Sequence, residues 1–154
     1  MTTRTLLVLT LVLAATAVAV AGPAAAQAPP NPPDAYIVDG DAQAALDKAR
    51  AKWRAAKIRS YHYEARRRCF CPSVSWHVVN VRNGVPSRRV HEAVKDVATV
   101  PRLFRTIQRA IDAKAHDLTV TYGARGVPTK ISIDSSAMVI DEEQNFTIRG
   151  FKRR

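Results

Sequence analysis

This chain has little cysteine, little acid and few aromatic residues. Two of its 154 residues are cysteine, and both fall in Cys69-Phe70-Cys71-Pro72. Cysteines one residue apart cannot close a long loop, so the chain is not a disulfide-stapled scaffold. Its six glycines are dispersed. No Gly-rich loop precedes a helix and no Gly-x-Ser-x-Gly elbow occurs, so neither phosphate-loop nor serine-hydrolase chemistry is expected. His62, His77, His91 and His116 sit in ordinary polar contexts. No nucleophile and base pair stands out, and the expectation is no enzyme activity and no cofactor. After the N-terminal apolar run, no second stretch is long enough to span a bilayer.

What the N-terminus holds points to export. Arg4 gives a short positive start, and Leu6 to Val20 is almost wholly apolar. That is the length of a signal-peptide core and short for a transmembrane helix. Ala24-Ala25-Ala26 offers small residues for cleavage, leaving Gln27 first. The competing triplet, Ala26-Gln27-Ala28, would place Pro29 just after the cut, which peptidases disfavour. No cysteine follows the run, so a lipoprotein anchor is excluded; an uncleaved anchor is the alternative. The expected organisation is a signal peptide at 1–26, a Pro-rich tether at 27–39 carrying Pro29, Pro30, Pro32 and Pro33, and one domain at 40–154. The expected location is secreted, periplasmic or cell-envelope.

Basic residues outnumber acidic ones 24 to 13. They gather in Lys48 to Arg59, in Arg66-Arg67-Arg68, at Arg88-Arg89, along Arg102, Arg105 and Arg109, and in the tail Lys152-Arg153-Arg154. Such an excess attracts polyanions. Export makes nucleic acid a poor candidate and an anionic cell-envelope component or a protein partner a better one. Arg66, Arg67, Arg68, Arg88 and Arg89 are the basic-surface candidates. A solvated basic surface with no dedicated partner is the plain alternative.

Periodicity sets the fold. Asp41 can cap a helix over Ala42 to Lys57, with Leu46, Ala49, Trp53 and Ala56 on one face. Trp53 then reads as a core anchor. Ser60 to Cys69 alternates, Tyr61, Tyr63 and Ala65 on one side and His62, Glu64 and Arg66 on the other, as a half-buried strand. Val74 to Arg82 is a second strand whose change of phase implies a bulge. Asn83-Gly84 marks a tight turn, and Val85 to Val94 reads as a third, weaker strand, with Pro86 favouring an edge. Thr99 and Pro101 open a second helix to about Ala115, with Leu103, Phe104, Ile107, Ala110 and Ile111 on its apolar face. Leu118 to Tyr122, Lys130 to Asp134 and Asn145 to Phe151 supply three more strands. The expected class is α+β: an antiparallel sheet of about six strands packed by two helices, in the order α-β-β-β-α-β-β-β.

Cys69 and Cys71 admit several states. In an ideal strand such positions lie roughly 6.6 Å apart, whereas a disulfide wants Cβ atoms about 3.8 Å apart. A bridge therefore needs a kinked backbone, which Pro72 and Ser73 permit. Two free thiols, a metal site with His77 or His62, and an intermolecular bridge remain open beside it. The spacing matches no standard zinc or thioredoxin motif. Asp141-Glu142-Glu143 is the one acidic cluster. It could hold a cation or face a basic partner, but reads more simply as neutralising nearby arginines.

Several motifs in order carry a resemblance. Trp53, Ile58-Arg59-Ser60-Tyr61-His62-Tyr63 and Cys69-Phe70-Cys71-Pro72 form the first half. Val100-Pro101-Arg102-Leu103-Phe104, Ile107-Gln108, Ala110-Ile111, Leu118 to Tyr122, Gly126-Val127-Pro128, Ile131-Ser132-Ile133-Asp134, Asp141-Glu142-Glu143 and Phe146-Thr147-Ile148 form the second. Together they resemble the small secreted bacterial proteins catalogued as domain of unknown function 6174. Gly123 stands where that family usually carries Asp after the tyrosine. The resemblance implies a secreted or envelope-attached bacterial protein and implies no activity. Two functions are therefore expected: a non-enzymatic binding or accessory domain with a basic surface, or a redox or metal site at Cys69 and Cys71.

Overall fold

The computed structural model describes residues 31–68, 75–139 and 143–154. The chain runs α1 (Ala35–Val38), α2 (Asp41–Ala56), β1 (Tyr61–Arg68), β2 (His77–Arg82), β3 (Val85–Pro86), a 3₁₀ helix (Glu92–Val97), α3 (Val100–Asp112), β4 (Asp117–Tyr122), a 3₁₀ turn (Ala124–Gly126), β5 (Pro128–Asp134) and β6 (Gln144–Arg153). The strands form one antiparallel sheet in the order β3-β2-β1-β6-β5-β4. This is the expected α+β class, with six strands and two long helices.

Alternation decides which face is covered. On β1, Tyr61, Tyr63 and Ala65 are buried while His62, Glu64 and Arg66 are half-exposed. Val79 and Val81 of β2, Ile131 and Ile133 of β5, and Phe146 and Ile148 of β6 join the buried side. The buried faces of α2 and α3 belong to the same core cluster. Both long helices therefore cover one side of the sheet, and among the described residues no helix covers the other. Trp53 packs edge-on against Tyr61 and Phe151, with ring centroids 5.4 and 5.9 Å away, as a core anchor should.

The two helices begin differently. The Thr99 hydroxyl accepts from the Arg102 amide at 3.2 Å and Pro101 lies in the first turn, as expected for α3. Asp41, expected as the cap of α2, is instead its first helical residue, where its charge opposes the positive end of the helix dipole. Gly40 takes the cap position at φ +84°, a conformation costly for any residue with a Cβ, and makes no side-chain cap bond.

Two further details depart from the sequence reading. β2 carries no bulge in its pairing with β1, which runs unbroken from Tyr61↔Val81 to Ala65↔His77. Val78 simply faces outward, 57 % exposed. The register shifts fall elsewhere, between His62 and Glu64 against β6 and between Thr121 and Tyr122 against β5. The third strand is two residues long, not ten. Pro86 has no N–H to continue the ladder, Ser87 N donates to Asn80 O at 2.8 Å, and the chain then leaves the sheet. Val94 and Val97 are buried on the 3₁₀ helix instead.

The proline-rich segment is fastened to the domain from Asn31 onward. Its amide donates to Ser135 O at 3.1 Å and accepts from Ala137 N at 2.8 Å. Asp34 accepts from Tyr36 N at 2.9 Å and from Leu118 N at 2.8 Å, while its own N–H reaches Ala115 O at 3.0 Å. Asp34 thus closes the first turn of α1 and satisfies a donor on β4.

Candidate anion-binding site

The outward face of α3 is cationic because its inward face is apolar. Leu103 and Ile107 are buried, and Arg102, Arg105 and Arg109 occupy the opposite side at i, i+3 and i+7. Their positions are separated by about 4.5 and 6 Å along the helix axis. Arg50 of α2 and Lys95 of the 3₁₀ helix complete a groove of about 470 Å³, in which Asp96 is the one acid among the described residues.

Arg102 and Arg109 are held by hydrogen bonds to neutral acceptors, while Arg50 and Lys95 share their charge with Asp47 and Glu92. Arg102 donates to the Lys95 carbonyl at 2.9 Å, and Arg109 to the Thr106 hydroxyl at 3.3 Å. Arg50 donates to Gln108 Oε1 at 2.8 Å and to Asp47 at 3.3 Å. The Gln108 amide nitrogen donates to Gln43 at 2.8 Å and to Asp112 at 2.9 Å, lacing α2 to α3. Asp47 is held below the usual carboxylate range, first by the Gln43 amide and then by Arg50. Among the described residues, ion pairs form at Arg50–Asp47, Lys95–Glu92 and Arg149–Glu64. Arg102, Arg105 and Arg109 take part in none of them. A groove of this kind can hold an oxyanion bidentately, since a guanidinium presents a planar fork of donors.

A second basic concavity, of about 540 Å³, lies by the β2–β3 hairpin. Arg82, Arg88 and Arg154 line it with Asn80 and Ser87, and among the described residues no Asp or Glu lines it. Arg154 is oriented by its own N–H on Ser60 O at 2.9 Å and by its Nε on His62 Nδ1 at 3.4 Å.

The basic-surface candidates from the sequence do not form one patch. Arg66 stacks on the Trp76 ring at 4.6 Å, on the open face of the sheet, where Arg149 approaches the same ring at 3.8 Å and bonds Glu64 at 2.7 Å. Arg67 lies over Phe146 at 5.9 Å, and its Nε is buried with no hydrogen-bond partner among the described residues. Arg68 is exposed at the end of β1, Arg88 lines the hairpin concavity, and Arg89 is exposed beyond it. Cys69, Cys71, Asp141 and Glu142 lie outside the described residues; Glu143 directly precedes β6. Sequence reasoning did not single out Arg50, Arg82 or Lys95 as site residues. The i, i+3, i+7 spacing of Arg102, Arg105 and Arg109 was the available signal for the groove.

His77 and His91 stack with centroids 3.9 Å apart. His91 Nδ1 accepts from Ala93 N at 3.2 Å, capping the 3₁₀ helix. Burial, and then the neighbouring His91, hold His77 below its ordinary pKa. Among the described residues, no group of three or more His, Cys, Asp or Glu is placed to hold a metal ion.

Fold and surface together define a two-layer α+β domain with cationic concavities. The chain belongs to a family of unknown function, DUF6174, whose model matches residues 45–153. No curated protein and no solved structure matches it.

Proposed function

We propose that this chain is an exported, non-enzymatic binding domain that uses its cationic surface to hold an anionic component of the bacterial cell envelope. One observation carries the reading: in the α2–α3 groove Arg102, Arg105 and Arg109 stand together, and among the described residues none of the three takes part in an ion pair. Three of the groove's cations, Arg50, Arg102 and Arg109, are oriented by hydrogen bonds within the fold. Arginines held this way lose less conformational entropy on binding than free ones. The export signal read in residues 1–26 and the chain's net charge of +11 support an envelope partner over a cytoplasmic one.

The test is retention of purified protein on an anionic cell-wall polymer across a salt series. Binding is expected at low ionic strength and should weaken steeply as the Debye length shrinks from about 30 Å at 0.01 M to about 3 Å at 1 M salt. Arg105→Glu with Arg109→Glu should weaken it further. Absence of binding at the lowest salt would end this reading.

A further inference from the structure

The two basic concavities sit on opposite layers of the domain. Val79 and Val81 are buried in the shared core, so Asn80 and Arg82 between and beside them face away from the helices. The hairpin concavity, with Arg82, Arg88 and Arg154, therefore opens toward the uncovered side of the sheet. The groove with Arg102, Arg105 and Arg109 opens on the helical side. One strand of polymer cannot fill both without passing around the domain.

We infer that the chain has two independent anion sites, each taking the phosphate groups of a linear polymer, and so bridges two polymer strands. The inference rests on the binding reading above and adds valency and ligand chemistry to it. Phosphate fits better than carboxylate for a geometric reason. A carboxylate offers two oxygens in one plane, which one guanidinium fork satisfies. An internal phosphate of a linear polymer also has two unbridged oxygens, but its oxygens are arranged tetrahedrally and not in one plane, so forks can approach it from different sides. The hairpin concavity supplies guanidinia from β2, from the segment after β3, and from the residue after β6. The groove supplies them from two helices. Charge complementarity suits a polyanion at both places, since among the described residues acid is absent from one lining and single in the other.

The experiment uses the purified protein with tripolyphosphate, long-chain polyphosphate and poly-glutamate at low salt. Titration calorimetry with tripolyphosphate should give two sites per chain. Long-chain polyphosphate should raise light scattering to a maximum at intermediate ratios and lower it in excess polymer, the mark of a bridging ligand. Arg82→Glu/Arg88→Glu and Arg105→Glu/Arg109→Glu alter exposed positions. Each pair should leave one site and abolish bridging, and the four together should leave neither. Gln in place of Glu at the same positions should act in the same direction and separates loss of charge from loss of fold, which circular dichroism checks.

A single site in the unaltered protein, or one pair removing all binding, overturns the inference while leaving the binding reading intact. Equal affinity for poly-glutamate overturns the phosphate assignment. No binding to either polymer removes both the inference and the reading beneath it.

Discussion

The buried hydroxyl of Tyr63 donates a hydrogen bond to the carbonyl of Val97. Two residues earlier on the same face of β1, the Tyr61 hydroxyl accepts from Val100 N at 3.0 Å. The two rings stack with centroids 6.1 Å apart. Val97 ends the 3₁₀ helix and Val100 begins α3, and both are fully buried. The Val100 N–H is one of the orphan donors at a helix start. The tyrosines thus satisfy two backbone groups that water cannot reach. Tyr63→Phe is expected to cost about 1–3 kcal/mol by leaving the Val97 carbonyl unpaired. Urea unfolding of the variant checks this; a loss below about 0.5 kcal/mol would mean that the carbonyl finds another partner.

Stability should also fall in alkali. Burial raises the Tyr63 phenol well above its ordinary 10.0, with the neighbouring Tyr61 adding to it, and burial raises Tyr61 and Tyr122 as well. The folded state keeps these protons after the unfolded chain has lost them. Their stabilisation is full below the unfolded value and is lost as pH rises from about 10. Denaturant midpoints should decline there, with the phenolate absorbance of these three tyrosines appearing only on unfolding. A flat midpoint between about pH 9 and 11.5 contradicts this.

How much of this the sequence disclosed depends on the range of the interaction. α3 was legible because Thr99, Pro101 and the spacing of Leu103, Phe104 and Ile107 are all local. The central strands were legible because Tyr61, Tyr63 and Ala65 alternate with polar residues. The end of β3 was misread because Val90 and Val94 suit a strand by propensity, while the cap that turns the chain into a 3₁₀ helix is the His91 imidazole, an unusual capping group. The groove was only half legible. The Arg102, Arg105 and Arg109 spacing is local, but the Arg50 bond to Gln108 joins residues 58 apart. Arg82 and Arg154 meet only because of the sheet order.

Asp34 should matter more than a residue in a tether. Its carboxylate holds the first turn of α1 and the Leu118 amide on β4. Asp34→Ala is expected to cost about 1–2 kcal/mol, the range for a lost cap or a buried donor left unpaired. Amide exchange should quicken at Tyr36 and Leu118. If exchange at Leu118 stays unchanged, the contact does not secure that edge.

Gly126 marks the closest approach of a turn to α2. At φ +77° a Cβ built on it would lie 2.1 Å from the Ala49 carbonyl oxygen. Relief would require the turn or the helix backbone to move. Gly126→Ala should therefore cost roughly 3 kcal/mol or more. Gly84→Ala, also at positive φ but in open space, should cost about 1 kcal/mol. Equal losses in the two variants would show that backbone conformation alone, and not the contact with Ala49, sets the requirement for glycine.

His77 should give the protein an acid-side weakness. It opens β2 opposite Ala65, stacks on His91, and has its Nε2 buried with no hydrogen-bond partner among the described residues. Burial, and second the positive charge that His91 can carry, lower its pKa from the ordinary 6.5. The unfolded chain takes up the proton before the folded one does. Stability is then full above about pH 6.5 and falls as pH drops toward the folded value. His77→Phe keeps a flat ring for stacking and removes the proton uptake. Unfolding measured from about pH 7.5 down to 5 should slope less steeply in the variant, before carboxylates begin to contribute. Parallel slopes would mean that the imidazole reaches solvent readily enough to titrate alike in both states, and that the stack carries no pH dependence.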